Sequence, residues 1–523
     1  MTTTEPTALP WWKDRLLLGV AVVFVGWSAL AVTLPLSGDA GVFAWLADTA
    51  HRGGAPYVDA WDTKGPAAWL PSLLVQSIAG RTAWAIRVFD IAMLLAALVA
   101  LRVAARRLGQ PGAGRIAIAL YVLWYTSLDY WQSAQPDGWV AAWLIVATAL
   151  AMAGGPLRML VAGALIGLCT MVKPFYLGFL VVCSMIVLAT PGQPVARRAR
   201  DLGVILLGFS AAVTLQLLAL RQFGALDGFF EVQRWNRDVY AGLGDPWLTR
   251  IPAIFKGSLL MPWGIVGPIA LFGAIRPTRA HRRAIAALTV GFLGAIAGVM
   301  LQGKGWTYHW LPMLPFLALL ADIGFAALRT ETAGEIAGRF RWLALLLAFA
   351  IGGITPLQQF YRFARSRGSI EAREQYERHE FRYYGRQAGS VYAIVDSLAS
   401  LPHTGPDAPA ILVWAMQPGP QVLRGARIPT RFAVIRPLFD GAGTEFRARY
   451  RAQFEADLRR APPRWWLHPT PELLASDDEL RSHDIRLYLN AATVLHDQYR
   501  VAGQTAEWMI YERVSADSVS ATR

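Results

Sequence analysis

The sequence predicts an α-helical polytopic membrane protein with a small α/β domain at its C-terminal end. Three observations carry that prediction. Hydrophobic residues fill 54% of the 523 positions and charged residues only 16%, against roughly 25% charge in ordinary soluble domains. The apolar residues gather into long runs, and the arginines fall in short clusters between them. Polar and charged character then dominates from about residue 358 onward. The same composition excludes other classes. With 21 Trp the chain is too apolar and aromatic for intrinsic disorder. The formal charge of +14 comes from inter-run arginine clusters, which are the mark of cytoplasmic loops rather than of nucleic-acid binding. Cys169 and Cys183 both lie in apolar runs and build neither a disulfide framework nor a thiolate metal site.

A bilayer core of about 30 Å needs roughly 20 apolar helical residues. Leu16–Leu36 carries no charge and is too long for a signal-peptide core, so it reads as a retained helix. Further spans are predicted at Ala83–Leu101, Ile116–Leu128, Trp139–Ala153, Met159–Val172, Phe175–Ala189, Leu202–Leu220, Ser258–Ile275, Ala284–Leu301, Trp310–Leu328 and Trp342–Leu357. That makes about eleven spans over a membrane domain of residues 1–357. Pro66–Ala79 is apolar but short and contains Pro71, which predicts an interfacial or re-entrant helix. Every second loop is basic: Lys13 and Arg15; Arg102, Arg106, Arg107 and Arg115; Arg158; Arg197, Arg198 and Arg200; Arg276, Arg279, Arg282 and Arg283; Arg329, Arg339 and Arg341. The positive-inside rule puts these on the cytoplasmic side of the membrane. The alternate loops and the tail, residues 358–523, then lie on the outer face. In the tail, Ala410–Trp414, Phe432–Ile435 and Trp508–Tyr511 read as strands, and Glu445–Leu458 and Glu472–Leu480 as helices.

The residues with chemistry collect in the outer loops. Asp39 follows the first span and precedes Val42–Ala50, an amphipathic stretch expected to lie along the interface. Asp39 reads either as that helix's cap or as a functional carboxylate favoured by the helix dipole. Lys64-Gly65-Pro66 reads either as a phosphate contact or as a lysine snorkelling to headgroups. Asp137, in Gln135-Pro136-Asp137-Gly138, stands at the outer end of the fourth span. It is either a cap or a partner of Asp39 in one cavity, and two carboxylates suit general-base work or a divalent cation. Lys173, between two spans with almost no loop, must be paired or face a cavity. Lys304, Tyr308 and His309 suit an anionic headgroup. Arg87 and Asp90, three apart inside a span, are expected to pair.

No phosphate-binding Gly-rich loop, His-Glu-x-x-His or Gly-x-Ser-x-Gly is present. An outward-facing membrane enzyme without a nucleotide site needs an activated donor already in the lipid, such as a polyprenyl-phosphate sugar. The motifs of the first loop resemble those of GT-C glycosyltransferases, of the bacterial type related to protein O-mannosyltransferases and lipid A aminoarabinose transferases. The matching segments are Asp39, Gly54-Ala55-Pro56-Tyr57-Val58-Asp59 and Trp61-Asp62-Thr63-Lys64-Gly65-Pro66, with Gln135-Pro136-Asp137 and Tyr308-His309-Trp310-Leu311-Pro312 further on. The resemblance implies an inverting transfer on the periplasmic face, from a polyprenyl-phosphate sugar to a cell-envelope glycan or glycolipid. It implies Asp39 as catalytic base, with Asp137 supporting it, by way of a divalent metal cation if one binds. It implies Lys64 as a donor-phosphate contact, with Lys304, His309 and Lys173 as further candidates. Tyr57, Asp59, Asp62 and Tyr308 become substrate-binding candidates, Asp59 and Asp62 having loop folding as their other reading. Asp39 is followed by Ala40 rather than by the Glu of eukaryotic mannosyltransferases, which weighs against protein as acceptor. A flippase or transporter of lipid-linked sugars is the alternative; the inverted repeats and broken helices expected of it are not found in the sequence.

Overall fold

The computed structural model describes residues 13–330 and 410–514, apart from positions 35, 111, 129–131, 245, 247–248, 251–262, 276–280, 305, 416–417, 477 and 506, together with scattered helical positions between 343 and 365. The chain forms two compact units, each assembled from separated stretches. One takes Met1–Thr33, Arg87–Leu218 and Gly244–Arg365; the other takes Leu34–Ile86, Ala219–Leu243 and Ser366–Arg523. The described helices up to residue 330 are α1 (Arg15–Ala31), α2 (Gly38–His51), α3 (Leu70–Ala79), α4 (Ala83–Arg107), α5 (Arg115–Thr126), α6 (Pro136–Ala153), α7 (Pro156–Val172), α8 (Leu180–Ala189), α9 (Val195–Gln222), α10 (Leu226–Asp238), α11 (Trp263–Ile275), α12 (Arg282–Gln302) and α13 (Leu314–Thr330).

The first unit is a bundle of apolar helices. Helices α4, α6, α9, α12 and the stretch Thr307–Leu328 are long and apolar enough to cross a bilayer, and five shorter apolar helices accompany them. The first ten runs predicted from sequence each overlap one of these helices, residues 258–262 of the eighth lying outside the described residues; the eleventh, Trp342–Leu357, lies largely outside them. The chain is a multi-pass membrane protein. Its longest span, α9, leaves Leu206, Leu207, Leu215 and Leu218 exposed. Such a face is stable in lipid, where the helix satisfies its own backbone and apolar side chains carry no cost.

Glycines set the closest helix approaches. A Cβ on Gly163 of α7 would stand 1.9 Å from the Ile205 carbonyl oxygen of α9, and one on Gly208 of α9 would stand 2.0 Å from that of Leu160. Gly167 completes a small-x-x-x-small repeat against Phe209 and Ala212. Helices α11 and α13 cross in the same way through Gly273 and Gly324. Gly163→Val is therefore expected to cost about 3 kcal/mol through overpacking. Gly203→Ala, on the same α9 but with open space at its Cβ, is expected to be neutral or slightly stabilising. Thermal unfolding in detergent distinguishes the two; equal behaviour would refute the close-approach argument.

Polar groups inside the bundle are satisfied across elements. Asp90 accepts from the Tyr125 hydroxyl (2.6 Å), the Trp139 indole (3.0 Å) and the Ala134 N–H (3.1 Å). Arg87 donates to the Ser133 hydroxyl at 2.8 Å. The two expected partners thus each hold other segments in place.

The second unit contains a four-stranded sheet of order β1-β2-β4-β3: β1 (Ile411–Val413), β2 (Trp465–Pro469), β3 (Tyr499–Gln504) and β4 (Trp508–Arg513). β1 pairs parallel with β2, and β4 pairs antiparallel with both β2 and β3. Ile411, Val413, Trp465, Leu467, Trp508 and Ile510 form its core with Leu473, Leu474 and Leu480. The strands expected at Ala410–Trp414 and Trp508–Tyr511 are present; β2 and β3 are additional. Phe432–Ile435 is not a strand but a bent segment leading into the turn Arg436–Leu438. Pro437 restricts the backbone there, and Phe432 is buried against Tyr450 at 5.3 Å instead of pairing in a sheet. The expected helix Glu445–Leu458 runs to Arg460, and Glu472–Leu480 is divided between Pro471–Ser476 and Asp478–Ser482.

Helix α2 forms over the stretch expected to be helical after the first span. Ala40 through Ala50 are all buried within the unit. The reason is glycine again: a Cβ on Gly41 would lie 2.7 Å from the Gly419 backbone nitrogen, so tail and helix touch through their backbones. The short helix predicted over Pro66–Ala79 is present as a 3-10 turn, Pro66–Ala68, followed by α3.

Candidate active site

In the second unit the first loop folds around Tyr57. This residue is fully buried with its backbone in the left-handed region (φ 69°), which is strained for a bulky side chain. Four hydrogen bonds hold it. Its N–H donates to Ala60 (2.7 Å), its carbonyl accepts from the Arg431 guanidinium (2.6 Å), and its hydroxyl donates to the Lys64 carbonyl (2.7 Å) while accepting from the Trp69 indole (3.0 Å). Asp59 is exposed and accepts from the Ala55 N–H at 2.8 Å, closing the turn. The loop is thus preorganised from both ends, and Lys64 is what it presents.

The Lys64 ammonium lies 3.4 Å from the Asp39 carboxylate and 5.0 Å over the Phe43 ring. Asp39 is the second residue of α2, whose N-cap position is Ser37. It is therefore not the cap, but sits in the first turn of the helix. Its side chain keeps 27% exposure against 13% for Lys64, so the carboxylate is reachable while the lysine is nearly enclosed. Asp62 accepts from the Lys64 N–H at 3.2 Å. Burial pushes its carboxyl up to about 6; the Lys64 charge opposes this and that of Asp39 adds to it. Tyr240 adjoins the same charges. Burial pushes its phenol up to about 12, with Arg436 and Lys64 opposing and Asp39 and Asp62 adding. Arg436 lies 5.4 Å over the Tyr240 ring and is tied to Asp440 at 2.7 Å.

In the first unit a second cluster forms. Asp137 is fully buried in the first turn of α6, with Gln135 at the N-cap position. Its oxygens both meet the Lys173 ammonium at 2.8 Å, and one accepts from the Tyr176 hydroxyl at 2.7 Å. Lys173 also donates to the Gln302 amide oxygen at 2.6 Å and stands 5.8 Å over the Tyr308 ring. The costly lysine is thus paired, as its place between two spans demands. His309 is buried, 4.5 Å edge-on to Tyr308 and 5.3 Å from Trp306. Lys304 is half-buried just past Gly303, whose left-handed backbone ends α12.

The structure gathers Asp39, Tyr57, Asp62 and Lys64 in one unit and Asp137, Lys173, Tyr308 and His309 in the other, with Asp59 set apart as a turn brace. Sequence reasoning missed Gln302, Tyr176, Arg431, Tyr240 and Arg436. The first two had a local signal, lying at span ends beside Lys304 and Lys173. The other three had none, since their partners are distant in sequence. No group of three or more His, Cys, Asp or Glu among the described residues is placed to hold a metal ion. With Asp137 taken up by Lys173 and Tyr176, and Asp39 facing Lys64, the donor set fits ammonium–carboxylate pairing and does not fit a divalent cation.

No protein-family model matches the sequence, and no curated protein does. Solved structures do match in fold. The ArnT protein of Cupriavidus metallidurans, in a crystal structure bound to undecaprenyl phosphate, aligns with a TM-score of 0.59 at 16% identity, over 96% of this chain and 98% of that one. The oligosaccharyltransferase of Archaeoglobus fulgidus aligns with a TM-score of 0.51 at 11% identity, over 98% and 81% of the two chains. The arabinofuranosyltransferase AftD from Mycobacteria aligns with a TM-score of 0.52 at 14% identity, over 98% and 40%. The chain shares the fold of these three proteins.

Proposed function

With that fold as premise, we propose that the protein is a glycosyltransferase that moves a sugar from a polyprenyl-phosphate donor to a cell-envelope glycan or glycolipid. The observation that carries the reading is the Asp39–Lys64 pair: a reachable carboxylate 3.4 Å from a nearly enclosed ammonium, on a loop preorganised by a strained tyrosine. ArnT of Cupriavidus metallidurans binds undecaprenyl phosphate in its crystal structure, which supports the same donor class here.

In the proposed step Asp39 accepts the proton of the acceptor hydroxyl as its oxygen attacks the anomeric carbon. The anomeric carbon–oxygen bond breaks, and polyprenyl phosphate leaves with the electron pair. Attack opposite the leaving group inverts the anomeric centre. Lys64 faces the phosphate and stabilises its growing charge. Tyr57 and Asp62 position Lys64, the first through its carbonyl and the second through its N–H. In the other unit Asp137 and Lys173 hold each other and orient Tyr308, with Lys304 and His309 as further contacts for the donor.

We further read the chain as an inner-membrane protein of about eleven spans, residues 1–357, with a periplasmic α/β domain, residues 358–523. Support comes from the second unit. Its three stretches, Leu34–Ile86, Ala219–Leu243 and the tail, lie almost wholly in segments that loop charge assigns to the outer face, and they fold together.

The test is release of polyprenyl phosphate by purified protein in lipid, offered a panel of polyprenyl-phosphate sugars with envelope glycolipid. Transfer is expected with at least one donor. Labelled lipid crossing the bilayer without any transfer would overturn the reading in favour of a flippase. Lys64→Ala is expected to raise the donor KM at least about tenfold, the loss of one charge-assisted contact; unchanged donor dependence would return Lys64 to the snorkelling role.

A further inference from the structure

A groove lies along α10 in the second unit, beside the Asp39–Lys64 loop. Its cavity of about 500 Å³ is lined by Asp227, Phe230, Gln233, Arg234 and Arg237, a volume within the usual range of small-molecule sites. Helical spacing explains the lining, because these positions recur every three or four residues and so share one face. The opposite face is packed. Gly228 abuts Tyr57 and Val58, Phe229 lies 5.3 Å from the Tyr57 ring, and Trp235 meets Trp61 edge-on at 4.8 Å. Gln233 reaches across and donates to the Thr63 carbonyl at 3.0 Å, next to Lys64. The helix is thus braced on the loop by one face and open on the other.

What the open face offers is chemically specific. Phe230 is 49% exposed, an aromatic surface unusual on a helix whose other large rings are buried. Around it stand a carboxylate, an amide and two guanidiniums, all planar groups suited to adjacent hydroxyls. Their charges largely balance, since Arg237 is paired with Asp238 at 2.6 Å and the remaining lining holds one carboxylate, Asp227, and one guanidinium, Arg234. A flat apolar platform ringed by planar donors and acceptors, without strong net charge, matches a neutral pyranose: its C–H face packs on the ring while its hydroxyls take the hydrogen bonds.

We propose that this groove binds a pyranose unit of the acceptor glycan and so fixes the acceptor beside Asp39. The assignment rests on the transferase reading for its biological sense, but the binding itself is separable from catalysis.

The experiment uses full-length protein in nanodiscs and saturation-transfer NMR with methyl glycosides of glucose, mannose, galactose and N-acetylglucosamine. At least one glycoside is expected to bind wild type. Phe230→Ala is expected to weaken it at least tenfold, and Phe230→Trp to retain it. Asp39→Asn is expected to bind as wild type does, so a failed transfer assay and a failed groove give different patterns. Absence of binding by all four glycosides would overturn the proposal, as would binding indifferent to Phe230→Ala. Binding confined to a uronate or sugar phosphate, lost in Arg234→Ala but kept in Phe230→Ala, would also overturn it and make the groove an anion site.

Discussion

Asp39→Asn is expected to lower transfer by ~10²–10⁴-fold, the usual contribution of a positioned general base. The substitution is nearly isosteric. Its amide oxygen still accepts from Lys64, and α2 keeps its burial and its close approach to Gly419. Thermal stability should therefore stay within about 1 kcal/mol of wild type, as for most substitutions at partly exposed positions. What is lost is the capacity to take a proton. The decisive pair of measurements is turnover and melting temperature on the same preparation. A variant that folds and transfers at the wild-type rate would remove Asp39 from the mechanism. One that melts far earlier would make the Asp39–Lys64 pair structural.

The second large effect is on stability. Asp137→Ala leaves the Lys173 ammonium, only 13% exposed, without its carboxylate, and breaking a buried ion pair in this way costs about 3–5 kcal/mol. Tyr176 loses its acceptor as well. Replacing both charges, as in Asp137→Leu with Lys173→Met, should recover most of that loss, because two apolar groups bring no uncompensated charge. Thermal unfolding of the single and double variants forms a cycle. If the double variant is as unstable as Asp137→Ala, the pair is not what stabilises this end of α6. If the single variant is stable but inactive, Asp137 acts on substrate rather than on Lys173.

The bundle was legible because a membrane simplifies the code. Length, apolarity and loop charge place Ala83–Leu101 or Ala284–Leu301 without any knowledge of their neighbours. Asp39 and Lys64 were legible for a related reason, since charges at the ends of apolar runs are conspicuous. The tail was harder. β2 reads Trp-Trp-Leu-His-Pro, buried on both faces, and so lacks the alternation that marks a half-exposed strand. Phe432–Ile435 was misread because a short apolar run is equally consistent with a strand and with a bend whose side chains fill a core. Helix α2 looked amphipathic, yet burial on nearly every side came from a glycine contact with residue 419, which no local pattern encodes. Arg431 illustrates the limit most clearly: its guanidinium anchors the Tyr57 carbonyl, and nothing near either residue announces the other.

That anchor has a consequence for how the protein is made. The Tyr57–Arg431 hydrogen bond joins positions 374 residues apart. At elongation rates of about 5–20 residues per second, the tyrosine loop emerges roughly 20–75 s before its arginine exists. During that interval the loop keeps its contacts to Ala60, Lys64 and Trp69 but lacks the guanidinium on the Tyr57 carbonyl. A chain ended before residue 431 would therefore carry its spans without that anchor on the Tyr57 loop.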